Sequence, residues 1–533
     1  MSVLPLKYQH IWAWLDQISE QYCDQIAYSS FGQHLSYKQL KDKSLQLCNF
    51  LKYSGIKPHD RVAIMLPNCL QQPISTFGVI ASGAIAVNVN PLYTANELKH
   101  QLNDSGATSI IVLANMAHII DQIKHETPLK HIIVTHIGDE LPWYKSWIMH
   151  IVLKYFKKVI PPFDSDHVQW HQCFNMPICK NPHQPKPDDI VLLQYTGGTT
   201  GLAKGVMLSH RNLLSNLVQI PSSMPEKLYQ NGHNTILTAL PLYHIFALMV
   251  SWVTLDHGGL NLLVANPRDL NALVEILKRN KVHGIPLLET LMLKLLQHPS
   301  FKDINFNHLV ATITGGMATQ PSTAKKWQRQ TGCVVQQGYG LSETSPVISI
   351  SQNKHSFEDH VGKSLTMTEI MIMDSHKQSL PPDQIGEIWV KGPQVTRGYW
   401  QNDKETNEVF EGHWFRTGDL GFIDQSGCLS IVDRLKDMII ISGFNVYPSE
   451  IENILTKHAN IEEACVVGEK HKHTEAEYII AYYVSSKKLT AESLKAFCKQ
   501  YLSAYKIPNR FIRTQEIPKS VIGKILRRSL KQA

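Results

Sequence analysis

The sequence has no closely paired cysteines, and this absence bears on where the protein works. Its nine cysteines are scattered, odd in number and free of any CxxC spacing, which favours a reducing compartment over a disulfide framework. Cys173 and Cys179 lie near His171 and His183, but this spacing matches no standard zinc pattern. We therefore expect a cytoplasmic location, with ordinary side chains at these positions.

A secretory signal and low-complexity tracts are also missing. The first residues contain no basic segment followed by a long apolar core, unlike a signal peptide. One uncharged run, residues 235–255, is long enough to span a bilayer, but Pro241, Tyr243 and His244 lie in its first half. We interpret this run as a buried strand, a loop and a helix.

The net charge of +7 is unevenly placed. Residues 434–533 contain 17 Lys and Arg against 10 Asp and Glu, whereas the preceding residues contain 35 of each sign. A basic small domain beside a neutral large one suits an anionic small molecule, a nucleic acid or a membrane surface. The net charge alone does not distinguish among these ligands, so the sequence motifs are needed to identify the ligand.

The length of 533 residues predicts at least two domains. Short β-rich runs at 62–66, 85–89, 110–113 and 132–135 alternate with helical patterns, which predicts mainly parallel sheets covered by helices. A strand-like run at 428–432 ends in the charged segment DRLKD, after which a new compact pattern begins. We therefore predict an α/β fold with a large N-terminal domain, residues 1–433, and a small, mobile α+β domain, residues 434–533.

The segment YTGGTTGLAKG, Tyr195 to Gly205, follows an apolar run and precedes a helical pattern near His210. Its glycines let main-chain N–H groups converge on an anion, while its threonines and lysine add donors. No Gly-Lys-Ser/Thr closes the segment as in a Walker loop. We predict a phosphate-binding loop formed by Thr196, Gly197, Gly198, Thr199, Thr200, Gly201 and Lys204.

With this loop in place, the chain resembles the adenylate-forming acyl-CoA synthetases, and most closely the bacterial long-chain fatty-acid CoA ligases. Further motifs follow in the family's order and extend the resemblance over nearly the whole chain. They are PLYTANELKHQLNDSGA (91–107), QGYGLSET (337–344), RTGDL (416–420), DRLKDMIIISGFNVYPSEIE (433–452) and PKSVIGKILRR (518–528).

The QGYGLSET motif has the residue types that a nucleotide site needs. Its glycines permit close backbone approach to a flat ligand, Tyr339 offers an aromatic face for adenine, and Ser342 can donate to a phosphate. Glu343 is a hard oxygen ligand for magnesium, and we assign Thr196 to the same metal. The resemblance implies the same roles and places Gln337, Gly338 and Gly340 at the nucleotide.

Asp419 can accept both ribose hydroxyls of ATP, and Arg434 can bridge ribose and phosphate. Lys524 is our candidate for catalysis, because a positioned ammonium stabilises the charge that builds on the α-phosphate as pyrophosphate leaves. The resemblance implies a domain hinge at Lys436. It also implies that the small domain rotates to bring the loop of Ser442, Gly443 and Phe444 toward coenzyme A.

The acid substrate has weaker support in the sequence. PLYHIFAL, residues 241–248, resembles the family segment beside the acyl pocket. The resemblance implies that His244 lies near the carboxylate and that Gly315, Gly316 and Met317 form the opposite wall, with Gly316 also at the nucleotide. Some relatives have an aromatic gate where Leu248 stands, so gating here differs from theirs.

The segment from Trp143 to Val159 predicts an amphipathic helix with an apolar face of seven residues and a basic opposite face. Such a helix either lies in a membrane interface or packs on its own domain, and the sequence leaves both open. The apolar face comprises Tyr144, Trp147, Ile148, Ile151, Val152, Tyr155 and Val159.

These motifs predict a ligase that uses ATP and magnesium to convert a fatty acid to acyl-AMP and then transfers the acyl group to coenzyme A. The alternatives are delivery of the acyl-AMP to a carrier protein, activation of an aromatic acid, and an inactive lipid-binding protein at a membrane surface. We expect no nucleic-acid partner. A cytoplasmic enzyme, with or without peripheral membrane contact and as monomer or homodimer, fits every motif.

Overall fold

The computed structural model describes residues 7–196, 203–229, 232–441, 444–470, 477–519 and 525–531. The helices of these residues alternate with strands along most of the chain. They are α1 (Ile11–Gln21), α2 (Tyr37–Tyr53), α3 (Gln71–Ser82), α4 (Ala95–Ser105), α5 (Ala114–Ile123), α6 (Trp143–Ile151), α7 (His210–Gln219), α8 (Ile245–Asp256), α9 (Leu270–Arg279), α10 (Glu289–Gln297), α11 (Pro321–Thr331), α12 (Asp403–Val409), α13 (Pro448–Leu455), α14 (Ala491–Lys499) and α15 (Arg527–Lys531).

The strands belong to three large and two small sheets. In chain order they are β1 (Ile26–Ser30), β2 (Gln33–Ser36), β3 (Arg61–Met65), β4 (Ile85–Asn88), β5 (Ser109–Leu113), β6 (His131–Thr135), β7 (Val168–Gln169), β8 (Ile190–Thr196), β9 (Lys204–Ser209), β10 (Thr235–Thr238), β11 (Leu260–Leu263), β12 (Gly284–Leu287), β13 (Ala311–Gly315), β14 (Val335–Gly340), β15 (Val347–Ile350), β16 (Lys363–Ser364), β17 (Glu369–Met373), β18 (Gly386–Lys391), β19 (Phe410–Glu411), β20 (Trp414–Ile423), β21 (Leu429–Arg434), β22 (Ile439–Ile441), β23 (Phe444–Val446), β24 (Glu463–Lys470), β25 (Glu477–Val484) and β26 (Arg510–Thr514).

Two mainly parallel sheets form the large domain. One has seven strands in the order β7-β6-β5-β3-β4-β8-β9, with β9 antiparallel to β8. The other has nine strands in the order β16-β15-β14-β13-β12-β10-β11-β1-β2, with antiparallel strands at both edges. Connections through helices between parallel strands account for this arrangement, because a parallel strand cannot follow its neighbour through a tight turn.

Buried helices lie between these sheets. Every residue of α3 is buried, and α3 contacts β3 and β4 of the seven-stranded sheet. Helix α8 contacts β10 and β11 of the nine-stranded sheet, and its Trp252 packs against Phe77 of α3 with ring centroids 5.6 Å apart. A helix that is apolar on all sides suits such a middle layer. The uncharged run at 235–255 is thus β10, a loop and most of α8, as expected.

An antiparallel sheet and the small domain complete the molecule. The antiparallel sheet has the order β17-β18-β20-β19, with β21 paired to β20. The small domain contains the hairpin β22-β23 and the sheet β24-β25-β26, on which α13 and α14 pack to form a separate core. The α/β class and the large and small parts are confirmed by this architecture and its relatives.

The division at residue 433 falls inside β21, which ends at Arg434. Strand β21 is held to the small domain, since the Ser449 N–H donates to Asp433 Oδ2 (2.9 Å) and the Ser449 hydroxyl donates to the Val432 carbonyl (2.6 Å). The helix expected over 143–159 is shorter: α6 ends at Ile151 and a π-helical turn continues it to Phe156. Among the described helices, none has the length and apolar content needed to cross a bilayer.

Candidate active site

The predicted phosphate loop begins and ends on an antiparallel pair of strands. Thr196 at the end of β8 pairs with Lys204 at the start of β9. The Lys204 ammonium forms an ion pair with Glu405 of α12 and lies 5.5 Å from the centre of the Tyr399 ring. The two ends of the predicted loop are therefore fixed by neighbours distant in sequence. The loop residues Gly197, Gly198, Thr199, Thr200 and Gly201 lie outside the described residues.

Glu343 lies in the short turn after β14, and only 8% of its surface is exposed. The Tyr399 hydroxyl donates to Glu343 Oε1 (2.8 Å), and the Thr396 N–H donates to the Glu343 carbonyl oxygen (2.7 Å). Burial and the adjacent Glu343 carboxylate hold the pKa of Tyr399 above its ordinary value. Tyr399 thus remains a hydrogen-bond donor that fixes the carboxylate, and through Lys204 it connects Glu343 to the predicted phosphate loop.

Asp419 and Arg434 face each other on the adjacent strands β20 and β21. Arg434 Nε lies 2.7 Å from Asp419 Oδ1, and the Tyr339 hydroxyl donates to Asp419 Oδ2 at 2.7 Å. Burial and the Asp419 charge raise the pKa of Tyr339 well above its ordinary value. The structure thus brings together three residues from separate motifs. A buried carboxylate oriented from two sides is suited to bind hydroxyl groups.

The glycines of the QGYGLSET motif permit tight packing at the end of β14. A Cβ atom at Gly340 would lie 1.8 Å from the Pro346 carbonyl oxygen, so a side chain cannot fit there. Gly338 pairs with Gly315 of β13, and Gly316 has a φ of +77° that favours glycine. Ser342 opens the turn that contains Glu343. These glycines therefore allow close backbone packing at the end of β14, and their contact with a nucleotide stays a prediction.

The side chain of Gln337 has partners within the protein. Its Oε1 accepts from the Thr319 N–H (3.0 Å), and its Nε2 donates to the His360 carbonyl (3.3 Å). These contacts support the segment after β13, which contains Gly315, Gly316 and Met317. Gln337 thus fixes the wall of the site as well as standing beside the predicted nucleotide residues.

The hinge candidate Lys436 lies in the turn directly after β21. Lys436 as a whole is exposed, but burial of its ammonium group lowers its pKa, and the positive charge of Arg434 lowers that pKa further. Phe444, on β23, is exposed and stacks on Tyr505 of the small domain, with ring centroids 4.9 Å apart. Ser442, Gly443 and the catalytic candidate Lys524 lie outside the described residues.

His244 is the residue before α8, and its pKa is lowered to about 4 by burial. The imidazole is therefore neutral at neutral pH. Its carbonyl accepts from the Leu248 N–H (3.0 Å), and Leu248 itself is buried in the core. His244 therefore lies at the N-terminus of a helix, where a carboxylate is stabilised.

An apolar slot runs beneath α8, between this helix and strands β10, β12 and β13. Val250, Val253 and Thr254 of α8 line it, together with His257 directly after the helix. Val250 and Val253 share one helical face with Phe246. Phe246 in turn packs where a Cβ of Gly315 would lie, at 3.4 Å. The strands contribute Ile236, Gly284, Pro286 and Ile313.

The slot ends at two aromatic rings. Tyr229 and His257 have tilted rings with centroids 4.3 Å apart, and His257 Nδ1 donates to the Val253 carbonyl oxygen at 2.9 Å. The slot therefore lies beside the C-terminal half of α8, and its apolar lining suits an alkyl chain.

Several of these residues had not been predicted from the sequence. Tyr399 and Glu405 lie in GYWQNDKE after β18, where a single tyrosine and a surface acid carry no recognisable signal. Tyr229, His257 and Gly284 are ordinary members of apolar runs. Only the packing of distant elements brings them to the site.

Sequence profiles of two families match this chain. The profile of the AMP-binding enzymes matches residues 15–400, and that of the AMP-binding enzyme C-terminal domain matches residues 450–524. The chain is 39% identical to a long-chain-fatty-acid–CoA ligase of Escherichia coli O6:H1, over 99% of this chain and 95% of the relative. It is 34% identical to the ligase of the same name from Bacillus subtilis (strain 168), over the same shares.

Solved structures resemble the fold over its full length. The anthranilate CoA ligase AuaEII in complex with anthranoyl-AMP superposes with a TM-score of 0.86 at 22% identity, covering 99% of this chain and 98% of that chain. ATP-bound MatB from Rhodopseudomonas palustris superposes with a TM-score of 0.84 at 24% identity, covering 97% and 98%.

Proposed function

Because this chain belongs to the AMP-binding enzyme family, we propose that it is a long-chain fatty-acid CoA ligase. A fatty-acid carboxylate attacks the α-phosphate of ATP, and pyrophosphate leaves. The thiol of coenzyme A then attacks the carbonyl carbon of the acyl-AMP, and AMP leaves. The observation that carries the fatty-acid substrate is the 39% identity, over 99% of the chain, to a long-chain-fatty-acid–CoA ligase, and the apolar slot beneath α8 supports it.

The nucleotide is held by residues that the structure brings together. Asp419, oriented by Arg434 and Tyr339, accepts the ribose hydroxyls, and Arg434 extends toward the phosphates. Lys204 with the loop at 196–201 holds the phosphates that leave as pyrophosphate. Tyr399 keeps Glu343 in one orientation for this purpose.

Magnesium fits the donor set of this site, because the buried Glu343 carboxylate and the Thr196 hydroxyl are hard oxygen ligands. When bound, the ion neutralises charge on the phosphates. The metal role of Glu343 and Thr196 is part of this proposal.

The acid lies with its carboxylate at the N-terminus of α8 and its tail in the slot. A neutral His244 offers a hydrogen bond without a competing positive charge. The wall opposite is formed by Gly315 and Gly316, and the space beside Gly316, where only Leu288 lies within 4 Å of an added Cβ, takes the acyl-phosphate link. Leu248, buried in the core, replaces an aromatic gate.

We assign the catalytic ammonium to Lys524. We also propose that the chain divides into a large domain, residues 1–433, and a small mobile domain, residues 434–533, which contains Lys524. Lys436 is the hinge, and the segment Ser442 to Phe444 approaches coenzyme A after the small domain rotates. The basic charge of the small domain serves both anionic substrates in turn.

The two half-reactions test the role of Lys524. Lys524→Ala should reduce pyrophosphate release from acid and ATP by about a thousandfold, since one charge at a developing anion contributes several kcal/mol. Thioester formation from supplied acyl-AMP should keep most of its rate. Lys531→Ala, a nearby change in the same basic tail, serves as the control. An equal loss in both half-reactions would refute the two-conformation mechanism.

An acid panel tests the overall function. Purified protein with magnesium, ATP, coenzyme A and acids from octanoate to oleate should release AMP most rapidly with the longer acids. Product mass with and without coenzyme A identifies the acceptor. The absence of pyrophosphate release with every fatty acid, or a preference for aromatic acids, would overturn the proposal.

We further propose that the enzyme works in the cytoplasm at the inner face of the membrane, where its substrate partitions. The exposed apolar segment at 143–159 supports this location. A homodimer remains the alternative assembly to a monomer, and sedimentation velocity across protein concentrations distinguishes the two.

A further inference from the structure

Helix α6 and its π-helical continuation present an apolar surface outward. Their large side chains are unusually exposed for a globular protein: Trp143 is 82% exposed, Trp147 64% and Phe156 79%. Neither element has a buried residue. Isolated exposed apolar residues are normal, but a contiguous group marks an interaction surface. We call this group the α6 surface: Trp143, Tyr144, Trp147, Ile148, Val152, Tyr155, Phe156 and Val159.

The opposite side of α6 faces the protein. A Cβ at Gly138 would lie 3.3 Å from the Ser146 backbone and 3.5 Å from Met149 Sδ. The His150 ring contacts the His136 ring edge-on, with centroids 4.6 Å apart. The helix is thus attached through half-buried Ser146, Met149 and His150, a side that mixes polar and apolar groups. The eight side chains of the α6 surface are exposed, so packing on its own domain does not account for them.

The charges around this surface identify its occupant. Residues 143–160 contain Lys145, Lys154, Lys157 and Lys158 and no Asp or Glu. Five of the eight residues of the α6 surface are aromatic, and aromatic side chains with lysines suit the boundary between headgroups and acyl chains. A symmetric contact with a second copy would bring two such lysine groups together, which is unfavourable.

We propose that the α6 surface docks on a lipid bilayer that contains anionic headgroups. The apolar side chains enter the headgroup boundary while the lysines contact lipid phosphates. The inference deepens the proposed function, because it identifies the element that takes an insoluble acid from the bilayer. The docking itself requires no ligase activity.

Flotation with vesicles tests the docking. The full-length protein should float with equimolar phosphatidylcholine and phosphatidylglycerol vesicles, and less with phosphatidylcholine alone. The double variant Trp147→Glu/Ile148→Glu should lower the partition coefficient by roughly tenfold or more, because both apolar side chains are lost. Tyr53→Glu, at an isolated exposed tyrosine that is 81% exposed, is the matched control and should float like the wild type.

Substitution of the lysines next to the α6 surface tests the electrostatic part of the docking. Lys154→Gln/Lys157→Gln should lower binding to the anionic vesicles about fivefold per lysine at low salt and leave binding to neutral vesicles unchanged. Wild-type protein that does not float, or variants that float equally, would overturn the proposal. So would a wild-type dimer that Trp147→Glu/Ile148→Glu dissociates without a change in flotation, since the occupant would then be a second copy.

Activity separates this inference from the proposed function. The α6 variants should retain wild-type AMP formation with octanoate in buffer, because α6 lies outside the residues assigned to ATP and acid. Loss of flotation with full octanoate activity supports docking. Flotation without any ligase activity would remove the proposed function and leave the docking in place.

Discussion

Gly284 is the position at which one substitution should shorten the preferred acid. It lies on β12 directly opposite Ile236 of β10, and both line the slot. A Cβ atom at Gly284 would lie 2.5 Å from Ile236 Cδ1 and 3.2 Å from Leu228 Cδ1. The valine side chain of Gly284→Val would therefore push the side chains of Ile236 and Leu228, which both line the slot, into its space. An acyl tail that reaches this position in the wild type must stop before it in the variant.

The size of the effect follows from the methylenes displaced. Valine adds three carbon atoms and should exclude about three methylenes of the tail, at about 0.8 kcal/mol for each one left unburied. The loss of about 2.4 kcal/mol corresponds to roughly a 60-fold decrease in kcat/KM for palmitate. Octanoate, whose tail ends nearer to His244, should lose less than about threefold.

Kinetics across an acid series measures this change. The ratio of kcat/KM for palmitate to that for octanoate should fall in Gly284→Val, and the KM for ATP should stay the same. In Gly284→Val/Ile236→Ala the clashing atoms are removed, so much of the palmitate activity should return. An equal loss for both acids would show that the slot does not hold the tail, as would an unchanged ratio in a folded variant.

Three further changes test the site and its electrostatics. Asp419→Asn should raise the KM for ATP about 10- to 100-fold, because hydrogen bonds to a charged group contribute about 1.5–3 kcal/mol; ATP–pyrophosphate exchange measures it, and an unchanged KM would contradict the ribose role. Tyr399→Phe removes the donor to Glu343 and should lower kcat/KM by a similar factor, with partial recovery at raised magnesium; a variant with wild-type magnesium dependence would exclude this positioning role. His244 has a pKa lowered to about 4 in the folded protein. As the pH falls below about 6.5, the unfolded chain therefore binds a proton at this residue while the folded protein does not. Stability should therefore fall by about 2 kcal/mol from pH 7.5 to pH 5 through this residue, and His244→Asn should remove that part of the change in urea denaturation.

Much of the architecture follows from patterns in the sequence. The expected strands at 62–66, 85–89, 110–113 and 132–135 each match a strand to within about one residue, because buried parallel strands are short apolar runs bounded by turns. The helix over 95–105 begins with a capping box of Thr94 and Glu97, a local signal within one turn. Such signals depend on neighbours in sequence.

The parts of the site that were not predicted depend on neighbours in space. Tyr399 reaches Glu343 across 56 positions of the chain, and no local pattern specifies that contact. Apolar residues of the slot, such as Ile236 and Val253, look like core residues in the sequence, since a lined slot and a filled core have the same composition. The amphipathic pattern of 143–159 was visible, but which side faces the protein depends on Gly138 and His136.

Strand β21 connects the proposed nucleotide site and the proposed hinge between the domains. Arg434 is the last residue of this strand, contacts Asp419, and is followed at once by the turn that contains Lys436. Ser449 of the small domain is hydrogen-bonded to the same strand. A ligand that holds Arg434 in place therefore acts on the pivot itself. By thermodynamic linkage, an orientation of the small domain that binds ATP more tightly is stabilised by bound ATP by the same factor. The substrate of the first half-reaction therefore also sets the domain orientation from which the second half-reaction begins.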